Sequence, residues 1–127
     1  GIMLRKGPAA AVIACGMMVA LALDAARQLE TAGISVSVID MPSIKPLDQE
    51  LVLQAARESG AILTVEEHSV IGGLGSAVCE FLSEAYPVKV KRMGIEDQFG
   101  QSGTPDQLLV HYGLTADMIA QNVKKII

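Results

Sequence analysis

Short apolar runs alternate with longer amphipathic ones along most of this chain, and that alternation leaves few folds open. Residues 9–15 (AAAVIAC) are a short apolar run. Residues 17–32 then place Val19, Ala22, Leu23, Ala26 and Leu29 on one helical face and Asp24, Arg27, Gln28 and Thr31 on the other, and Gly33 closes the helix. Residues 34–40 (ISVSVID) alternate and are β-branched, which predicts a strand. After a loop stiffened by Pro42 and Pro46, Asp48 caps a helix over 49–59, Leu47 staples onto Val52, and Gly60 ends it. Residues 61–65 read as a strand. Residues 74–85 read as a helix with Leu74, Ala77, Val78, Phe81, Leu82 and Ala85 inward. Residues 88–92 (VKVKR) alternate strictly, as a strand with one wet face near a sheet edge does. The stretch TPDQ at 104–107 fits a capping box with Pro105 at the first helical position, and that short helix stops at Gly113. Thr115 caps a last helix, with Leu114 placed to staple onto Ile119.

Strands that alternate with single helices predict a mostly parallel sheet with helices on both faces. The expected fold is a three-layer α/β/α sandwich on a five-stranded mixed sheet. Residues 2–4 enter through the turn RKGP, which predicts an antiparallel hairpin with the strand that follows.

At 127 residues the chain is one domain's worth, half of it apolar, so a sizeable single core is within reach. A mean hydropathy of +0.40 fits a sheet buried on both faces, or a surface covered by a partner. The net charge of −4 argues against a nucleic-acid partner, which needs clustered Lys and Arg. Lys89, Lys91 and Arg92 are the compact basic cluster, and they read as a solvated strand face. Cys15 and Cys79 lie far apart without metal-ligand or disulfide spacing, so they read as reduced thiols of a cytoplasmic protein. The start of the chain imitates a signal peptide, but its apolar stretch is too short and interrupted to span a membrane. Its helical pattern also continues past the would-be cleavage site.

In parallel sheets of this kind ligands sit beyond the carboxyl ends of the strands. Gly16, Asp40 and the Glu66, Glu67, His68 triplet all fall there. The stretch GGLGSAV, with Gly72, Gly73 and Gly75, is not a dinucleotide fingerprint, because Val78 stands where a third glycine belongs and HSVI separates the motif from its strand. The three glycines read as a structural turn, at which Gly73 or Gly75 holds a positive φ or lies where a Cβ would strike the preceding strand. The helix start remains a generic attractor of anions. Glu66, Glu67 and His68 are adjacent, so in an extended segment they alternate sides rather than converge on a metal. His111, the other histidine, is remote in sequence. No GxSxG elbow accompanies a Ser, His and Asp set. His68 is the one candidate general acid or base. The alternative places Glu66, Glu67, His68, Val70 and Ile71 at an interface, with the two apolar residues in contact and the polar ones as its rim.

Several stretches in order, VIACG, VALALDAA, GISVSVIDMPSIKPLD, AILTVEEHSVIGGLGSAV and VKRMGIEDQFGQSGTPDQLLVHYGLTADMI, resemble the C-terminal domain of the transketolase family. The resemblance covers nearly all of residues 1–127, and DMPSIKPLD and VEEHSVIGGLGSAV are its specific parts. Met17 and Met18 depart from it, since transketolases often carry Ser and Glu after that glycine. The same domain type closes 2-oxoacid dehydrogenase beta subunits and deoxyxylulose-phosphate synthase.

The resemblance implies a non-catalytic domain of a longer, cytoplasmic enzyme of the pentose phosphate pathway that transfers two-carbon ketol units between sugar phosphates. Family enzymes hold thiamine diphosphate and Mg between a pyrophosphate-binding domain and the pyrimidine-binding domain of a partner subunit, so no cofactor, metal or catalytic residue is expected in this chain. The expected partners are those two domains and a second subunit of a homodimer. Beginning at Gly1 within a hairpin, the chain reads as a piece of a longer polypeptide. Two other readings stand beside this one. The first is the same domain in a 2-oxoacid dehydrogenase beta subunit or a deoxyxylulose-phosphate synthase. The second is a stand-alone domain that senses a nucleotide or phosphate at the turn of residues 72–76.

Overall fold

The computed structural model describes residues 1–69, 72–95, 109–110 and 113–127, with the backbone alone at His68 and Ser69. Five strands form one sheet: β1 (Ile2–Pro8), β2 (Ala11–Ala14), β3 (Val36–Asp40), β4 (Ala61–Ser69) and β5 (Lys89–Ile95), in the order β1-β3-β2-β4-β5. β2, β3, β4 and β5 are mutually parallel, and β1 runs antiparallel to β3. Among the described residues the helices are α1 (Met18–Thr31), α2 (Gln49–Ser59), α3 (Leu74–Ala85) and α4 (Ala116–Ile126), and residues 109–110 are also helical.

The uniformly apolar β2 is explained by its place at the centre. Val12 and Ala14 join the core under α1 and α4, whereas Ala11 and Ile13 join the core under α2 and α3. Successive residues of a strand point to opposite faces, so a strand covered on both faces must be apolar throughout. Ala22, Ala25, Ala26 and Leu29 carry α1 onto the sheet, and the small alanines let it lie close. Met18 is fully buried beside them, while Val19 and Leu23 are half-buried at the margin of that stripe. On α3 the inward stripe is Leu74, Gly75, Val78 and Leu82; Phe81 is half-buried, and Ala85, expected inward, is exposed.

The caps follow the sequence. The Asp48 carboxylate accepts from the Leu51 N–H at 3.2 Å, and Gly60 ends α2 in the left-handed region at φ +69°. Thr115 accepts from the Met118 N–H at 3.2 Å at the start of α4. The TPDQ box at 104–107 lies outside the described residues.

β1 differs from the expected hairpin. It runs on through RKGP to Pro8 and pairs with β3, not with the strand that follows it. Both edges of β2 are taken by the parallel strands β3 and β4, so a hairpin on β2 has nowhere to form. The chain instead steps across the start of β3. The Ala9 N–H donates to the Ser35 carbonyl at 2.9 Å, and the Ala10 carbonyl accepts from the Ser37 N–H at 2.9 Å. β5 lies at the opposite edge, as its alternation predicts.

Candidate functional site

The strand order reverses beside β2. From β2 the chain moves outward to β3, then crosses back to β4 and continues to β5. The carboxyl ends of β2 and β4 therefore flank the switch point, where open α/β sheets leave a crevice. Cys15 and Gly16 stand at the end of β2, Asp40 ends β3, and Glu66, Glu67 and His68 lie on the last part of β4. β4 is longer than the sequence pattern predicts. It continues through Ser69, because Ser69 pairs with Ile95 past an irregularity in the register.

Alternation along β4 sends the two glutamates to opposite faces. Glu66 is fully buried on the α3 side, and its Oε1 and Oε2 accept the backbone N–H groups of Leu74 and Gly75, each at 2.8 Å. α3 starts at Gly73, which has no side chain to cap the helix, so the carboxylate from the neighbouring strand does so. A negative group at a helix N-terminus with two charge-assisted bonds is a strong arrangement. The placement of Glu66 in the polar rim of an interface is corrected by this geometry: the residue is fully buried and both of its oxygens are engaged inside the domain.

Glu67 is half-buried and faces the turn between β2 and α1. Gly16 holds φ +60° there, and a Cβ on it would stand 2.6 Å from Glu67 Oε1. The carboxylate thus lies against bare backbone, and the left-handed conformation favours glycine there, whereas the Glu67 side chain can swing away from a Cβ. Cys15 reports the local electrostatics. Burial pushes its thiol pKa up, and the negative charges of Glu66, Glu67 and Asp40 push it further the same way.

The glycine turn divides its tasks. Gly72 carries the positive φ, +74°, with open space around it. Gly73 is extended at φ −96° and Gly75 is helical, so of the two alternatives expected at Gly73 or Gly75 it is the collision of a Cβ with the preceding strand that is found, at Gly75. Gly75 is needed for close approach: a Cβ on it would stand 2.7 Å from Arg92 Cγ and 2.8 Å from Thr64 Oγ1. The Gly72 N–H donates to Ser76 Oγ at 3.1 Å, and Arg92 reaches the same hydroxyl at 3.4 Å. With the Leu74 and Gly75 donors held by Glu66, the start of α3 is filled by the protein's own anion.

His68 lies on β4 two residues beyond Glu66, and Val70 and Ile71 lie outside the described residues, as does His111. Among the described residues no three His, Cys, Asp or Glu side chains are grouped to hold a metal ion. No helix among them is long and apolar enough to cross a membrane. The capping role of Glu66 is absent from the sequence-based reading. Two signals pointed to it: a glycine-only helix start, and a glutamate in phase with Ile62 and Thr64 on the strand before it.

A parallel sheet with an antiparallel edge strand, and a strand-borne carboxylate plugging the helix that follows, defines an α/β domain whose switch point is filled from within. The family description "Transketolase, C-terminal domain" matches residues 1–119, and the chain belongs to that family. It is 51% identical to a split-gene transketolase, described as an inactive beta4 tetramer, with a TM-score of 0.94 over 98% of this chain and 41% of that one. It is 44% identical to a 6-deoxy-6-sulfo-D-fructose transketolase subunit of Clostridium sp. (strain MSTE9), over 98% of this chain and 38% of the relative. It is 42% identical to a 1-deoxy-D-xylulose-5-phosphate synthase of Heliobacterium modesticaldum, over 99% of this chain and 20% of the relative. The chain thus spans from a fifth to about two fifths of the proteins it matches, and they are parts of larger or split enzymes.

Proposed function

We propose that this chain is the non-catalytic C-terminal domain of a cytoplasmic, thiamine-diphosphate-dependent transketolase of the pentose phosphate pathway. In that enzyme two-carbon ketol units pass between sugar phosphates. Thiamine diphosphate and Mg are held by the pyrophosphate-binding domain and a partner's pyrimidine-binding domain, and this domain supports their assembly into a homodimer. The observation that carries the reading is the pair of Glu66 bonds to Leu74 and Gly75, which fills the anion-attracting helix start that a diphosphate would need. His68, Val70 and Ile71, at the carboxyl end of β4 and just beyond it, face the neighbouring domains in this proposal, with Glu67 beside them against Gly16, and Gly72, Gly73 and Gly75 are structural. The carbanion chemistry belongs to the cofactor, and this chain's residues position the domains around it.

The test grafts this chain in place of the matching segment of the split-gene transketolase to which it is 51% identical. The chimaera is expected to assemble with its pyrophosphate-binding subunit and to catalyse ketol transfer, while calorimetric titration of the chain alone with thiamine diphosphate and Mg stays flat. Micromolar binding to the chain alone overturns the reading. A chimaera that works only in the Heliobacterium synthase, 42% identical over 99% of this chain, moves the parent to that enzyme.

A further inference from the structure

The sheet ends at β5, and among the described residues no strand pairs with its outer edge. Such an edge presents a row of N–H and C=O groups that another chain can pair with. Beside it lies α4, and between the two runs a groove of about 590 Å³ lined by residues 89–94 and by Leu114, Met118, Asn122 and Ile126. Met93, Leu114 and Ile126 are buried and form an apolar floor. Asn122 is the polar member of the buried face of α4; its amide nitrogen donates to the Met118 carbonyl at 2.9 Å.

The charge of the groove is opposite to that of the molecule. Alternation puts Lys89 and Lys91 on the same face of β5 as Met93, towards α4. Both lysines are exposed, and neither has an ion pair among the described residues. Among the described residues no Asp or Glu lines the groove, although the chain carries a net charge of −4.

Lysines on an edge strand also serve to ward off unwanted pairing. That purpose alone needs no apolar trough between the edge and a helix. A second copy of this chain is a poor occupant, because like charges placed opposite one another on paired strands destabilise the pair. An acidic strand turns the same lysines from a barrier into a selector. A groove between an edge strand and a flanking helix is the geometry in which extended peptides add to a sheet, main chain supplying affinity and alternate side chains specificity.

We propose that an extended acidic segment of a partner polypeptide adds to β5 as a sixth strand. Its carboxylates lie beside Lys89 and Lys91, and an apolar residue of the same face rests against Met93, Leu114 and Ile126. This surface is distinct from the carboxyl-end face of the sheet, and the inference does not rest on the reading of the parent enzyme.

The probe is an acetylated, amidated pentapeptide, Glu-Thr-Glu-Thr-Val, with Lys-Thr-Lys-Thr-Val as its charge-reversed control. It is titrated into the isotope-labelled 127-residue chain and followed by backbone amide shifts. The acidic peptide is expected to shift the amides of residues 89–94 and of Met118 and Asn122, saturably at millimolar concentration. The basic control leaves them in place. The double variant Lys89→Glu/Lys91→Glu weakens the acidic peptide by roughly tenfold, and Lys89→Gln/Lys91→Gln, which removes charge without reversing it, weakens it less. Three results overturn the proposal: no shift of any β5 amide at about 10 mM peptide, equal shifts with the basic control, or concentration-dependent broadening of the same amides without peptide, which assigns the edge to a second copy.

Discussion

Gly75 donates its backbone N–H to Glu66 at 2.8 Å, and the same glycine approaches Thr64, two residues back along β4, so closely that a Cβ would stand 2.8 Å from its hydroxyl oxygen. One residue thus joins helix to strand twice, by a hydrogen bond and by the absence of a side chain. The pairing explains why the only titratable group fully buried among the described residues can be a glutamate. Its charge is met by two N–H dipoles at the positive end of α3.

Removing that carboxylate therefore leaves two donors buried without a partner. Glu66→Ala is expected to cost about 3 kcal/mol, the range for breaking a buried, charge-assisted arrangement from one side. Glu66→Gln keeps one acceptor oxygen but turns an NH₂ towards a donor, and is expected to cost roughly half as much. Urea unfolding followed by circular dichroism measures both. An alanine variant as stable as the parent protein would sink the capping role.

The two glycines that flank the start of α3 fail for different reasons, and the difference is measurable. Gly75→Ala overpacks the seam between Thr64 and Arg92 and is expected to cost about 1–3 kcal/mol. Gly72→Ala meets nothing but pays for a left-handed backbone, about 1 kcal/mol. Thermal melts should rank Gly75→Ala below Gly72→Ala, and the reverse order contradicts the close-approach account.

The elements whose sequence period matches their burial were legible before the structure. Asp48, Gly60 and Thr115 mark helix ends by local chemistry, and strict alternation marked β5 as an edge. β1 was not legible in its pairing. Which neighbour a strand chooses depends on which edges are already occupied, and both edges of β2 are held by strands that follow it in the chain. The site was legible in place and not in detail. Strand polarity put Glu66 and Glu67 at the switch point. Deciding that one caps a helix while the other lies against Gly16 requires knowing that β4 continues past Val65 in the same alternation, and a charged pair looks like the end of a strand.

Cys15 supplies a pH dependence. Burial, and then Glu66, Glu67 and Asp40, raise its thiol pKa above the ordinary 9.0, so the folded protein holds this proton more tightly than the unfolded chain does. The stability gained is full below the unfolded thiol's pKa and is lost as pH rises through the higher folded value. Alkylation of native protein by iodoacetamide should accordingly have its midpoint above pH 9 at Cys15. Glu67→Gln removes one of the repelling charges and should bring that midpoint down. A midpoint below that of the urea-unfolded chain contradicts the described surroundings. Peptide mapping separates Cys15 from Cys79, whose thiol is also raised by burial but is eased by Arg92.

His68 decides whether the carboxyl-end face takes part in chemistry or only in assembly. It follows two glutamates that are both turned towards the domain itself, one into α3 and one against Gly16. The cluster around Cys15 is negative, which suits contact with a basic or polar neighbour better than contact with a diphosphate. In the parent enzyme, His68→Ala is therefore expected to weaken subunit association and to lower turnover by less than tenfold, far short of the roughly 10²–10⁴-fold that losing a general acid or base costs. Sedimentation and steady-state ketol transfer, measured on the same preparation, separate the two. Turnover reduced in step with dissociation, and restored at high protein concentration, is the signature of an assembly role. A fall of a hundredfold or more in an intact dimer, with the acid or basic limb of the pH profile missing, would make His68 a catalytic residue and remove this domain from the merely structural class.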